Sequence, residues 1–241
     1  MEREWRADMR LNKYLSDAGF CSRRKADRLT EEGRVTVNGS RAVVGAQVDE
    51  TDVVCVDGKR IVPEQKKVYL AFYKPRGIVC TAEKREKNNV VDYLDYPVRV
   101  YPVGRLDKDS EGLLLLTNDG EIVNGILRAR NFHEKEYLVW VDRPVTEEFL
   151  RHMAAGVPIL DTVTRPCKVR KRKEKCFSVV LTQGLNRQIR RMCEALGYRV
   201  ERLKRIRIMN IRLEGLEPGQ YRELTDGELE KIREKIQGKQ Q

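Results

Sequence analysis

The sequence predicts an α+β protein: a small helix-helix-hairpin unit, then a larger domain with a mixed, mainly antiparallel β-sheet and flanking helices. Three observations predict it. Stretches with apolar residues at helical spacing alternate along the chain with short strand-like runs. Asn38-Gly39 stands between two short β-like runs, the strongest short hairpin signal. A polar stretch containing a proline, DGKRIVPEQKK (57–67), precedes the buried-strand run VYLAFY. The expected boundaries are therefore 9–56 for the small unit, 57–67 for a linker and 68–236 for the larger domain.

In the small unit, MRLNKYLSDAG places Leu11, Tyr14, Leu15 and Ala18 at helical spacing and stops at Gly19. Ser22 can cap a second helix, RRKADRLTEEG, with Ala26 and Leu29 on its inner face. RVTVNGSRAVV then supplies the hairpin. In the larger domain the strand-like runs are VYLAFY, LLLLT (113–117), EYLVWV and FSVVLT, with further strand-like stretches within 199–213. Helices are expected from about Glu121 to Ala129, from Glu147 to Ala155 with Thr146 as cap and Gly156 as stop, and over NRQIRRMCEALG. A last helix opens with the capping box Thr225-Asp226-Gly227-Glu228.

Composition narrows the function. The 241 residues carry a formal net charge of +11, which favours a polyanionic partner, because phosphates neutralised by Lys and Arg release counterions. No stretch approaches the roughly 18 consecutive apolar residues of a membrane span, so no membrane partner is expected. MEREWRADMR lacks the apolar core of a signal peptide, and the protein is expected in the cytoplasm. Six cysteines without a CxxC pair read as buried or free thiols, and two histidines leave little for zinc. P-loop, dinucleotide, GxSxG and zinc-deaminase signatures are all missing from the sequence. Nothing in it calls for an obligate protein partner.

The positive charge falls in three places. Arg23, Arg24 and Lys25 crowd the first turn of the second helix, where the helix dipole disfavours cations unless an anion binds. Arg10 and Lys13 extend that patch. RPCKVRKRKEK (165–175) holds seven basic residues and one acid, and reads either as an RNA contact or as a solvated loop between strands. NRQIRRM (186–192) sets Arg187, Arg190 and Arg191 on a helix that starts at a strand end; Ile189, Met192, Cys193 and Leu196 form its core face.

GRLDKDSEG (104–112) opens like a calcium loop, with Asp107, Asp109 and Glu111 alternating before Gly112. Counting from Asp107, however, the twelfth position, which must be a bidentate glutamate, is Asn118, and Leu113–Leu116 suit a core strand. Calcium and other metals are therefore not expected there. What remains is a tight loop between apolar stretches. It either presents a catalytic carboxylate or caps its own backbone through Asp107 in an Asx-turn.

Four stretches in this order resemble the RNA pseudouridine synthases of the RsuA type: Lys74-Pro75-Arg76-Gly77, Gly104-Arg105-Leu106-Asp107 through LLLLTNDG, HEKEYLV with Lys135 and Tyr137, and GLNRQIRRM. The small unit resembles the S4 RNA-binding domain usual in that family. HEKEYLV, MAAGVPILDTVTRPCKV and RIRIMNI look most like the RluF-type subgroup, which modifies large-subunit ribosomal RNA. The resemblance implies isomerisation of uridine to pseudouridine in ribosomal RNA with no cofactor or metal. It implies Asp107 as nucleophile, Arg190 as its ion-pair partner, and Tyr137 packed on the target base. It implies Arg105 in the gap left by the flipped nucleotide or on its phosphate. Arg10, Lys13, Arg23, Arg24, Lys25, Lys74, Lys135, Arg187 and Arg191 are the remaining expected RNA contacts. Asp109 and Glu111 are expected to be solvated or structural. Ser110 stands where many relatives have threonine and keeps the hydroxyl. The competing readings are a synthase acting on transfer RNA and a noncatalytic S4-domain assembly factor.

Overall fold

Runs as apolar as VYLAFY and LLLLT must be buried on both faces of a sheet. In the computed structural model, which describes residues 9–62, 66–81, 86–127 and 132–238, they lie at the centre of one. The chain divides into two compact units, the first made chiefly of residues up to Val68 and the second chiefly of those after it.

The first unit begins with β1 (Met9–Arg10), α1 (Leu11–Asp17) and α2 (Arg23–Glu31). The Ser22 side chain accepts from the Lys25 N–H, so the expected cap is in place. β2 (Val35–Val37) and β3 (Ser40–Arg41) form the expected hairpin, with Asn38 and Gly39 both at positive φ (52° and 83°), the geometry for which an Asn-Gly pair is suited. β4 (Gln47–Val48) pairs with β1, while β5 (Val54–Val56) and β6 (Lys59–Arg60) complete a sheet of order β3-β2-β5-β6. The small sheet thus continues into the stretch expected as linker. Leu11, Leu15, Ala26, Leu29, Val35, Val54 and Val56 make this unit's core. Each large side chain fully buried there contributes about 1.5–3 kcal/mol.

The second unit runs β7 (Tyr69–Lys74), α3 (Val90–Leu94), β8 (Tyr101–Val103), β9 (Glu111–Thr117), α4 (Gly120–Leu127), β10 (Lys135–Val141) and α5 (Glu147–Ala155). It continues with β11 (Pro158–Ile159), β12 (Thr162–Val163), β13 (Lys168–Lys173), β14 (Cys176–Leu181) and α6 (Gln188–Ala195). β15 (Val200–Ile208), β16 (Ile211–Arg212), β17 (Tyr221–Glu223) and α7 (Asp226–Gln237) close it. Its main sheet has the order β13-β14-β10-β15-β9-β7-β17, with β8 on β9 and β16 on β15. Among the described strands of this sheet β15 and β9 run parallel, and the other pairs are antiparallel. The fold is therefore α+β with a mixed, mainly antiparallel sheet, as the sequence predicts.

Two cores flank this sheet. One joins Val139 and Val141 of β10, Phe177 and Val179 of β14, Phe149 and Met153 of α5, and Ile189 and Met192 of α6. The other joins Leu113 and Leu115 of β9, Ile122 and Ile126 of α4, and Leu229 and Ile232 of α7. Helix ends follow the sequence closely: Thr146 caps α5, and both halves of the Thr225–Glu228 capping box are made. The helix expected to reach Ala129 is described to Leu127; residues 128 and 129 lie outside the described residues. The core of the basic run 165–175, Lys168–Lys173, is a strand and not a loop. It lengthens a hairpin as β13, the outer strand of the sheet, where exposed Lys and Arg keep an open edge from pairing with other chains.

Candidate active site

The loop 104–110 connects β8 to β9, and its shape is set by hydrogen bonds to a neighbouring turn. The Ser110 N–H donates to the Asp107 carbonyl at 3.1 Å, closing a turn over 107–110 through the backbone. The KPRG stretch supports the loop from beneath. Lys74 Nζ donates to the carbonyl oxygens of Pro75 and Ser110, each at 2.8 Å, and the Gly77 N–H donates to the Lys108 carbonyl at 2.7 Å. Lys74 is 0% exposed, and burial pushes its pKa below the usual lysine value. The expected RNA contact at Lys74 is thus corrected: a side chain with no exposed surface cannot reach a phosphate, and this one holds the loop.

The loop faces α6. Arg187 precedes that helix with φ at 47°, a left-handed conformation that costs a non-glycine residue about 1–2 kcal/mol. From there its guanidinium lies 3.3 Å from both Asp109 carboxylate oxygens and 3.7 Å from Asp107 Oδ2. Arg190 is only 14% exposed at its side chain. It donates to the Val200 carbonyl at 3.2 Å, reaches the Asp109 carbonyl at 3.3 Å and stands 3.2 Å from Asp109 Oδ2. The expected Arg190–Asp107 ion pair is therefore replaced. Anchored on Val200 and the Asp109 backbone, Arg190 pairs with Asp109, and Arg187 is the cation beside Asp107. Burial opposes ionisation of Asp109, but the Arg187 hydrogen bond and the two arginine charges outweigh it and lower its pKa.

Asp107 keeps about a third of its side chain exposed, at the wall of a cleft of about 530 Å³. Arg76, Val79, Arg105, Asp109 and Arg187 also line it. That volume suits a single small ligand such as a nucleotide. Tyr137 is not among the lining residues. It sits half-buried on β10, packed on the α5–α6 core and directly across from Arg205 of β15. Lys135 donates weakly to the His133 carbonyl at 3.5 Å, and burial, helped by the Arg205 charge, lowers its pKa. Arg105 is exposed. Arg191 folds back on Asn186, donating to its carbonyl at 3.1 Å and its side-chain oxygen at 3.2 Å. Glu111 is buried and paired with Arg202, so it is structural.

In the first unit, Arg10, Arg23, Arg24 and Lys25 are all exposed, and no acid lies in the first turn of α2. Arg23 donates to Asn12, itself held by Asp27, and Lys13 pairs with Asp17 at 3.1 Å.

Residues 68–195 match the family described as RNA pseudouridylate synthase, and residues 9–54 match the S4 domain. The chain belongs to the RNA pseudouridylate synthase family. Among its relatives is the dual-specificity RNA pseudouridine synthase RluF of Escherichia coli (strain K12), 57% identical over 92% of this chain and 78% of that protein. The ribosomal large subunit pseudouridine synthase B of Bacillus subtilis (strain 168) is 38% identical over 93% of this chain and 95% of its own length. A crystal structure of a pseudouridylate synthase superposes with a TM-score of 0.69 at 30% identity, covering 93% of this chain and 99% of that one. This synthase is thus an enzyme that isomerises uridine in RNA, and the noncatalytic assembly factor is set aside. Among the described residues no helix is long and apolar enough to cross a membrane.

Proposed function

We propose that this synthase modifies uridine in large-subunit ribosomal RNA in the cytoplasm, with Asp107 as the nucleophile. The observation that carries the catalytic assignment is the part-exposed Asp107 carboxylate on the cleft wall, beside Arg187 and two residues before the Asp109 that pairs with Arg190. A carboxylate attacks in its ionised form, and the Arg187 guanidinium 3.7 Å away orients it. A uridine swung out of its stack at a cost of a few kcal/mol enters the cleft. The carboxylate attacks it and forms a bond, the bond from ribose C1′ to N1 breaks, the base turns, and C1′ joins C5. The bond to Asp107 then breaks, which restores the carboxylate, while the proton on C5 is released to solvent and N1 takes one up. The family resemblance gives Tyr137 the role of packing on the base and assisting proton transfer, and that role requires it to turn from the core it packs on here towards the cleft; Arg105 takes the space or the phosphate that the flipped nucleotide leaves. Arg10, Arg23, Arg24 and Lys25 bind phosphates elsewhere on the RNA.

The ribosomal target is supported by the name of the B. subtilis relative and by the likeness of HEKEYLV and RIRIMNI to enzymes of that class. The dual specificity in the name of the E. coli relative favours a second RNA substrate, and transfer RNA is the alternative to test. Asp107→Asn tests the assignment. Tritium release from 5-tritiated uridine in RNA is expected to vanish while RNA affinity is retained, and a variant releasing tritium at the wild-type rate would overturn it. Mapping pseudouridines in total RNA with and without the protein tests the target.

A further inference from the structure

We infer that Arg205 is a positioning residue for catalysis: its buried guanidinium clamps both ends of the loop that carries Asp107 and fixes that loop against the strand that carries Tyr137. The inference rests on the reading of Asp107 as nucleophile.

Arg205 lies on β15 and is 3% exposed. Its Nε donates to the Leu113 carbonyl at 2.7 Å, and its Nη1 donates to the Arg105 carbonyl at 3.3 Å. Those two carbonyls bracket the chain from 106 to 112, which includes Asp107, Asp109 and the turn at Ser110. The same residue is the parallel-strand partner of Gly112. There the two backbones approach so closely that a Cβ on Gly112, whose φ is +106°, would lie 2.2 Å from the Arg205 carbonyl oxygen. On its other side Arg205 is the antiparallel partner of Tyr137. The ladder skips Ile206 between the pairs Glu136–Arg207 and Tyr137–Arg205, and this bulge is what sets Arg205 opposite Tyr137.

Burying a guanidinium without a carboxylate is costly. Among the described residues Arg205 has no ion-pair partner, and its Nη2 is buried without a hydrogen bond. Packing alone would be served better by an apolar side chain; Leu203 and Ile208 of the same strand are buried and apolar. What arginine adds is a rigid fork whose donors reach two separate carbonyls at once. Lysine carries the charge but offers one nitrogen where arginine holds the two carbonyls with two, Nε and Nη1. Because Arg205 has almost no exposed surface, its effect on the reaction runs through the position of Asp107 relative to Tyr137, not through RNA contact. A displacement of about 1 Å in a reacting group can cost on the order of 10²-fold in rate.

The test is Arg205→Lys and Arg205→Met, assayed with the full-length enzyme on substrate RNA beside Asp107→Asn. The expected result is a single-turnover rate on the order of 10²-fold below wild type for Arg205→Lys, with RNA Kd within about twofold. Arg205→Met is expected to be at least as slow. If it does not fold, Arg205→Lys alone decides, since it preserves the charge and most of the volume. Wild-type rates in Arg205→Lys, or a rate loss matched by an equal loss of RNA affinity, would overturn the clamp. An inert Asp107→Asn beside a fully active Arg205→Lys sinks only the clamp. A fully active Asp107→Asn sinks the nucleophile reading instead.

Discussion

Asp109 is held by two guanidinium groups, and the consequence depends on pH. Its folded pKa lies below the ordinary carboxylate value. The ionised form is therefore favoured by folding, and its contribution is fully present above about pH 4, the ordinary carboxylate pKa. It is lost as the pH falls through the lowered folded value. Urea denaturation of wild type and Asp109→Asn should show a stability gap near pH 6 that narrows towards pH 3. A gap that stays constant over that range would show that the arginines do not act on this carboxylate. Lys74 makes the opposite case, a cation whose charge is disfavoured by burial yet retained for its two carbonyl partners. Lys74→Met relieves the buried charge but leaves the Pro75 and Ser110 carbonyls without this donor. A buried acceptor so orphaned costs about 1–3 kcal/mol. The expected outcome is a loss of stability of that order and slower turnover, with RNA affinity unchanged. Weaker RNA binding at an unchanged rate would mean that Lys74 touches the RNA after all.

Elements differ in how far the sequence makes them legible. α5 and α7 follow it because their caps are local: Thr146, Thr225 and Glu228 bond within one turn of chain. The Asn38-Gly39 hairpin is local in the same sense. The site depends on relations between distant elements. Which arginine meets which acid is decided by the left-handed turn at Arg187 and by the anchoring of Arg190 on Val200. Spacing along NRQIRRM carries no trace of either, so the motif points Arg190 at Asp107 although it meets Asp109. Arg205 escapes a sequence reading because RLKRIRI looks like a charged, solvated strand. Its one signal is parity: it stands two residues from Leu203, and both are buried while Arg202 and Lys204 are not. β13 is hidden for a related reason. Seven basic residues in eleven suggest a loop, yet an edge strand tolerates and uses them.

At the scale of the whole molecule, each unit buries a core of its own, the first around α1 and α2, the second on both faces of the large sheet. RNA affinity and turnover can therefore be perturbed separately. The exposed Arg23, Arg24 and Lys25 sit at the positive end of α2, an arrangement that is unfavourable until an anion binds and favourable once one does. The formal net charge of +11 drives non-specific attraction over the entire surface, so replacing three cations lowers it without abolishing it. The specific effect is in the salt slope. Each phosphate that is no longer neutralised should flatten the dependence of log affinity on log salt by roughly 0.7 to 0.9. Arg23→Ala, Arg24→Ala and Lys25→Ala together should weaken RNA binding and reduce that slope, while the rate at saturating RNA stays near wild type. An unchanged slope would place the RNA off this patch. A lower rate at saturation would tie the patch to the positioning of Asp107, and the division of labour between the two units would fall with it.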